Sequence, residues 1–421
     1  MERYSEYKDS GVKWLGKIPS HWKVLAIKHI LKLKKNIVGK QSSQFDLLSL
    51  TLKGVVKRDM ENPEGKFPAS FDAYQIVEPN DFIFCNFDNE ETPRAVGLSP
   101  YKGMITGAYD VLFRKNSKLT DKFLIYYFLY IDDAKRFKPL YKGLRKTVPF
   151  DSFMSYKIPI PSLKEQDAIV SYLDSVTAKI DEAIAQQQKM IDLLNERKQI
   201  IINKAVTKGL DPKAKLKPSG IDWIGDIPEH WKVVRIKYLL EEKKGRSVNG
   251  SEEPLSMSQV FGLIPTRKMN TIPNMASSFV GAKLVKSGDL VFNKLKAHLG
   301  VFNVSKYDGL VSPDYAVYAS TGRANLSFLE YIFKTPKCIH EFVKLITGVG
   351  AGLSRLYTSD LFSIYCAIPP MNEQNQIYSY IEKNTVCLNE AIINCRSKIT
   401  LLQERKQIII NDIVTGKVKV V

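Results

Sequence analysis

The chain has no cysteine pair. Its five cysteines, Cys85, Cys338, Cys366, Cys387 and Cys395, are scattered and odd in number. That excludes a disulfide framework and a CxxC site and points to a reducing, cytoplasmic setting. Histidine is equally scarce, five in all, so no zinc-ligand spacing can be written. No run approaches the roughly 18 apolar residues that a membrane span needs. The opening Met1-Glu2-Arg3-Tyr4-Ser5-Glu6 has no apolar signal-peptide core, so no membrane partner is expected. There is no GxxxxGK[ST] phosphate loop and no GxGxxG after a strand. The glycine-rich Gly348-Val349-Gly350-Ala351-Gly352 lacks a strand–helix context and reads as a surface loop. Glu241-Glu242-Lys243 and Pro313-Asp314 stand in the wrong order for a metal-dependent nuclease. A methyltransferase acting on a flipped base would need an Asn/Asp-Pro-Pro-aromatic loop. Asn62-Pro63-Glu64 and Asp211-Pro212-Lys213 lack the second proline and the aromatic. The expectation is a chain with no catalytic residues, no metal and no cofactor of its own.

What is abundant is positive charge: 62 Lys and Arg against 44 Asp and Glu, net +18. With 44% apolar residues the chain folds, so the surplus points to a polyanionic partner; charge alone would allow an acidic membrane surface, but nucleic acid is the partner expected. At 421 residues it exceeds one ordinary core, and most of it is written twice. Trp14-Leu15-Gly16-Lys17-Ile18-Pro19-Ser20-His21-Trp22 returns as Trp223-Ile224-Gly225-Asp226-Ile227-Pro228-Glu229-His230-Trp231, 209 positions on, and these copies hold all four tryptophans. Residues 7–31 and 216–240 agree at 14 of 25 positions. Leu193-Leu194-Asn195-Glu196-Arg197-Lys198-Gln199-Ile200-Ile201-Ile202-Asn203 returns 208 positions on, from Leu401 to Asn411. A period this long is a domain duplication rather than a solenoid. Each copy has a repeated end and a variable middle, one frame suited to reading two different things.

Each copy has a globular part and a helix: 1–160 then 161–209, and 210–368 then 369–417, with 210–218 as linker. The globular parts read as mixed α/β (α+β), with short strands bounded by Gly, Pro and Asn and helices near 121–138 and 325–346. Landmarks persist: Val77-Glu78-Pro79-Asn80-Asp81-Phe82-Ile83-Phe84 matches 285–292, Tyr101 matches Tyr307, and Gly143-Leu144 matches Gly352-Leu353. His21 and His230 are expected to pack against the neighbouring rings rather than to act as ligands. Residues 165–207 and 371–415 contain neither Gly nor Pro. Ile169, Leu173, Val176, Ile180, Ala183, Met190 and Leu194 form an apolar stripe at coiled-coil spacing. So do Ile377, Ile381, Leu388, Ile392, Cys395, Ile399 and Leu402. Pro161 and Pro369 precede the helices, and Gly209 and Gly416 close them. About 40 helical residues make a rod of roughly 60 Å. Such a stripe cannot be buried alone, so the two helices are expected to pair as an antiparallel coiled coil. The short linker favours that direction, with pseudo-two-fold symmetry between the copies.

The positive signal for function is basic residues on the divergent domains. The first has Lys53, Lys57, Arg58, Arg94, Arg145 and Lys146; the second has Arg246, Arg267, Lys268, Lys294, Lys296 and Arg355. Arg and Lys hold phosphates, and Arg also reads guanine edges in the major groove. Any one of them taken alone is more often a solvated surface charge. Arg145 and Arg355 stand out because each follows the matched Gly-Leu. Gln41, Ser42, Gln44, Asn249, Ser256 and Gln259 have the chemistry to read adenine, but nothing singles them out.

The order Trp-x-Gly-x-Ile-Pro-x-His-Trp, divergent domain, long helix, all of it twice, resembles the specificity subunit of type I restriction–modification systems. The likeness covers essentially the whole chain. Its most specific pieces are Ile158-Pro159-Ile160-Pro161 with Glu165-Gln166, Ile368-Pro369-Pro370 with Glu373-Gln374, and the two Glu-Arg-Lys-Gln-Ile-Ile-Ile helix ends. The resemblance implies two target recognition domains, each reading one half of a bipartite, asymmetric site in double-stranded DNA. It implies that the helices set the spacer and dock two adenine methyltransferase subunits. Those partners would carry S-adenosylmethionine, and restriction–translocation subunits using ATP and magnesium would join them in host defence. Geometry alone allows two domains on a helical spacer to read sites about one turn, roughly 10 bp, apart. A stand-alone DNA-binding regulator with an internal coiled coil is the competing reading, and co-purification of a methyltransferase separates the two.

Overall fold

The structure, a computed structural model, describes residues 2–12, 14–60, 68, 70–258, 262–269, 278–346 and 355–420. Gln259, Asn62-Pro63-Glu64 and the glycine-rich 348–352 lie outside the described residues. The chain forms two compact units, Met1–Gln188 together with Ser397–Val421, and Lys189–Arg396. Each unit therefore takes a portion of both long helices.

The first unit is built on a four-stranded antiparallel sheet in the order Leu31–Lys34, Asp110–Arg114, Phe82–Phe84, Val96–Leu98. All three residues of Phe82-Ile83-Phe84 are buried, because alternate strand residues face opposite sides and both sides are covered. Phe82 and Phe84 enter a large core with Phe128 and Phe153. Ile83 enters a smaller one with Leu48, Val77, Ile105 and Val111. The smaller core lies under the hairpin Leu48–Thr51/Gly54–Lys57 and the pair Gln75–Val77/Gly103–Ile105. Burying one such side chain contributes about 1.5–3 kcal/mol. The turn before the central strand places Asn80 at φ 69°. There the Asp81 carboxylate accepts from Glu78 N–H and pairs with Lys34, both at 2.7 Å.

The second unit repeats this plan. Its sheet runs Leu240–Glu242, Tyr315–Ser320, Leu290–Asn293, Phe302–Val304. Leu255–Ser258 pairs with Gly262–Pro265, and Lys283–Val285 with Gly309–Val311. Leu290 and Phe292 face the large core, Val291 the small one. Gly288, in the place of Asn80, has φ 93°, and Asp289 pairs with Lys243 at 2.8 Å.

The globular helices are shorter than the sequence suggests. The first spans Asp121–Asp133, capped by the Thr120 side chain, and ends before Lys135, whose φ is 46°. The second is two helices, Leu326–Phe333 and Pro336–Leu345. Pro336 lacks an N–H and pushes Thr335 out of the helical region, so it starts a new helix instead of continuing the old one.

The long helices span Leu163–Lys208 and Met371–Val414. Within the first unit, Ile169, Val170 and Leu173 share a core with Ile410, Ile413 and Val414, and Lys406 pairs with Asp181 at 2.7 Å. Within the second, Ile202, Ala205 and Val206 share a core with Ile377 and Ile381, and Lys198 donates to Asn389 Oδ1 at 2.8 Å. In both units rising numbers on one helix meet falling numbers on the other, so the paired portions are antiparallel. Ile169, Leu173, Ile180, Ile377, Ile381, Ile392 and Cys395 are buried; Val176, Ala183, Leu194, Leu388, Ile399 and Leu402 are half-buried. Met190 departs from the expected stripe: it is 49% exposed while Ile191 is 4% exposed. The steps Ile180, Ile184, Gln187, Ile191, Leu194 alternate four and three, and the duplication equates Ile191 with Ile399.

Candidate nucleic-acid interface

The repeated His-Trp pair joins each domain to the helices. Trp22 and Trp231 are fully buried. His21 Nε2 lies 2.7 Å from Glu165 Oε1, and Trp22 Nε1 donates to the same oxygen at 3.2 Å. In the second copy His230 Nε2 lies 2.7 Å from Glu373 Oε2, and Trp231 Nε1 donates to Oε1 at 3.1 Å. The imidazoles thus act mainly as partners of a carboxylate rather than as rings packed among rings, although Tyr4 does lie 5.7 Å from His21. Burial raises the pKa of Glu165, but hydrogen bonds from His21, Trp22 and Ser162 outweigh it and hold the carboxyl below its ordinary value. Ser162 and Glu165 also close a capping box on the first helix.

The next residue completes the joint. Gln166 is fully buried; it accepts from Thr120 N and donates to Lys118 O, both at 2.8 Å. Gln374 likewise accepts from Asn325 N at 2.8 Å and donates to Arg323 O at 3.2 Å. Thr120 and Asn325 are the caps of the globular helices, so one Glu-Gln dipeptide ties two parts of the domain to a long helix. The end of the other long helix meets the same tryptophan. A Cβ on Gly416, φ 74°, would stand 2.5 Å from Pro19 Cδ and 3.0 Å from the Trp22 ring. A Cβ on Gly209, φ 71°, would stand 3.1 Å from Glu373 Oε1 and 3.4 Å from the Trp231 ring.

The cations singled out in the sequence fall mainly into two places. One is the hairpin on the small core. Lys57 and Lys268 each stand 5.4 Å from the centre of the matched ring, Tyr101 or Tyr307. Lys53 is exposed at the hairpin turn and Arg58 is half-buried after it. Lys57 pairs with Asp46 at 2.6 Å and Arg267 with Glu253 at 3.3 Å. The other place adjoins the end of the central strand. Arg145 and Lys146 are exposed there, and Arg145 pairs with Asp88 at 2.5 Å above the Phe87 ring. In the second unit Leu356 N donates to Lys294 O, which brings Arg355 beside Lys294, with Lys296 two residues further on; Arg355 pairs with Asp314 at 2.7 Å. Lys294 is only 18% exposed, and desolvation, then Lys283, lower its pKa. Arg246 is exposed and donates to Gly281 O.

Arg94 belongs to neither group. Its side chain is 16% exposed and lies 2.9 Å from Asp133 and 3.5 Å from Asp132. It braces the helix Asp121–Asp133 from within. Of the acidic residues weighed for catalysis, Asp314 pairs with Arg355, and Glu242 with Lys283 at 2.9 Å. Among the described residues no helix is long and apolar enough to cross a membrane. Glu165-Gln166 and Glu373-Gln374 carry the family resemblance in the sequence, but their work as a joint shows only in the fold; their presence at the same place in both copies was the available signal.

The family model for the type I restriction modification DNA specificity domain matches residues 96–191 and 228–394. The chain belongs to this family. Two specificity-domain regions thus stand in tandem, and each matched stretch runs on into a long helix. The chain is similar to the putative type I restriction enzyme MjaX specificity subunit of Methanocaldococcus jannaschii, 25% identical over 98% of each chain. It is also similar to the type I restriction enzyme EcoKI specificity subunit of Escherichia coli K12, 21% identical over 87% of this chain and 83% of that one. A chain from the solved structure "Structural basis underlying complex assembly and conformational transition of the type I R-M system" aligns over 95% of this chain and 99% of its own, with a TM-score of 0.64 at 14% identity. That likeness is one of fold.

Proposed function

We propose that this chain is the non-catalytic, DNA-reading subunit of a cytoplasmic type I restriction–modification enzyme. Each recognition domain reads one half of a bipartite, asymmetric site in double-stranded DNA, and the paired helices set the spacing. The observation that carries this reading is a shared frame with unlike surfaces. The His-Trp-Glu-Gln joint recurs residue for residue, whereas the cations beside the central strands differ in position and partner: Arg145 pairs with Asp88, and Arg355, in the place of Lys146, pairs with Asp314.

The helices support a two-copy partner. Leu193 and Ile200 are 51% and 59% exposed, and their counterparts Leu401 and Ile408 are 63% and 57% exposed. Single exposed apolar residues are ordinary, but the same pair bared in both copies is a face built twice. It fits two copies of one partner, an adenine methyltransferase subunit carrying S-adenosylmethionine. Restriction–translocation subunits, with their ATP and magnesium, join that core.

The test is co-expression with the methyltransferase gene, followed by mass measurement and DNA footprinting. One chain with two methyltransferases, protecting two separated patches, is expected. The double substitution L401E/I408E is expected to remove one methyltransferase copy. A chain that protects DNA fully with no methyltransferase bound would instead make it a stand-alone regulator.

A further inference from the structure

One apolar side chain of the first recognition domain is held out in water where a turn would ordinarily be polar. Leu144 is 100% exposed. It is not the tip of a loose loop. Lys142 and Thr147 exchange backbone hydrogen bonds at 2.8 and 3.0 Å, and Lys146 N donates to Gly143 O at 3.2 Å. Gly143, at φ 68°, and Lys146, at φ 46°, turn the chain tightly. The loop is then stapled to the segment after the central strand. Asp88 N donates to Arg145 O at 2.7 Å, and Val148 N to Asn86 O at 2.8 Å. The Arg145 side chain folds back on Asp88 and Phe87. A fixed tip therefore presents Leu144, with Lys142 and Lys146 exposed on either side.

Apolar wedges that part a base step, with cations beside them on the phosphates, share this chemistry. The flanking lysines favour a polyanion over an apolar groove on a protein. The sequence adds a second observation: the other domain, whose loops otherwise diverge, keeps Gly352-Leu353 and has Arg355 in the place of Lys146.

We propose that Leu144 is a wedge that the first recognition domain inserts between two stacked base pairs of its half-site, with Lys142 and Lys146 on the adjoining phosphates. The inference rests on the reading that this domain binds DNA. It makes Leu144 a specificity residue without any base hydrogen bond. A step that unstacks easily, such as TA or CA/TG, accepts the wedge at least cost, so the half-site is expected to hold one at the insertion point.

The experiment uses the full chain assembled with its methyltransferase subunits on target DNA carrying 2-aminopurine at successive positions of that half-site. The wild-type complex is expected to brighten the probe at one step, separate from the adenine that becomes methylated. Leu144→Ala is expected to abolish that signal and weaken binding about tenfold with the slope of log K against log salt unchanged, while Leu144→Phe retains both. Lys146→Ala is expected to flatten the salt slope by roughly one phosphate contact. Equal fluorescence and affinity for Leu144→Ala and wild type would overturn the wedge and leave the DNA-reading function standing. Loss of methyltransferase from the Leu144→Ala complex, with DNA signals intact, would overturn it in favour of a protein contact. A wild-type complex that bound no bipartite site would remove both.

Discussion

At the scale of the residue, Glu165 ties a tryptophan, a histidine and a helix cap together. Its carboxyl titrates below the ordinary value of 4.5. A depressed acid contributes stability that is complete above its unfolded pKa and is lost as pH falls through the folded one. The stabilisation is therefore full at neutral pH and fades on acidification below about pH 4.5. Glu165→Gln is expected to cost about 1–3 kcal/mol at pH 7 and to flatten the acid limb, as read by urea unfolding at several pH values. An acid limb of unchanged steepness would refute the assignment. The closing glycines give a graded comparison. Both need a positive φ, which costs an alanine about 1–2 kcal/mol. At Gly416 the added carbon also meets the rigid Pro19 ring at 2.5 Å, a clash, against 3.1 Å to the Glu373 carboxylate at Gly209, a tight contact. Unfolding midpoints are expected to fall further for Gly416→Ala than for Gly209→Ala.

At the scale of the element, the seam of the first helix passes through Ile191 and not Met190. Ile191→Ala is expected to cost about 2–4 kcal/mol and Met190→Ala under about 0.5 kcal/mol, measured by thermal unfolding; equal losses would place the seam elsewhere. The long helices were legible because a run free of Gly and Pro with three-and-four spacing has few other solutions. The slip at Met190 arose because methionine is apolar and the middle of the seam is not: Gln187 and Lys198 stand on it, so hydrophobicity alone marks the register weakly there. The break at Pro336 was written in the chain, but the apolar pattern running through it masked it. Other features were out of reach. Arg94 looks like any surface arginine until Asp132 and Asp133 come to it across the fold. The partner of His21 lies 144 residues away, and only its recurrence in the second copy marked Glu165 as important.

At the scale of the whole molecule, the duplication decides what the charge is for. A net +18 explains affinity for DNA but not selectivity, since phosphate contacts are blind to sequence. Selectivity is assigned to the two unlike surfaces, each fixed to the helices by the same joint. Two unlike surfaces on one helical spacer predict one bipartite motif with two unrelated halves and a fixed gap. The most direct measurement is genome-wide mapping of methylated adenine in host DNA with the gene intact and deleted. The predicted result is a single bipartite motif that loses methylation in both halves on deletion. Methylation of every motif unchanged by the deletion, in cells that make the chain and the proposed methyltransferase subunit, would contradict the assignment of selectivity to these two surfaces.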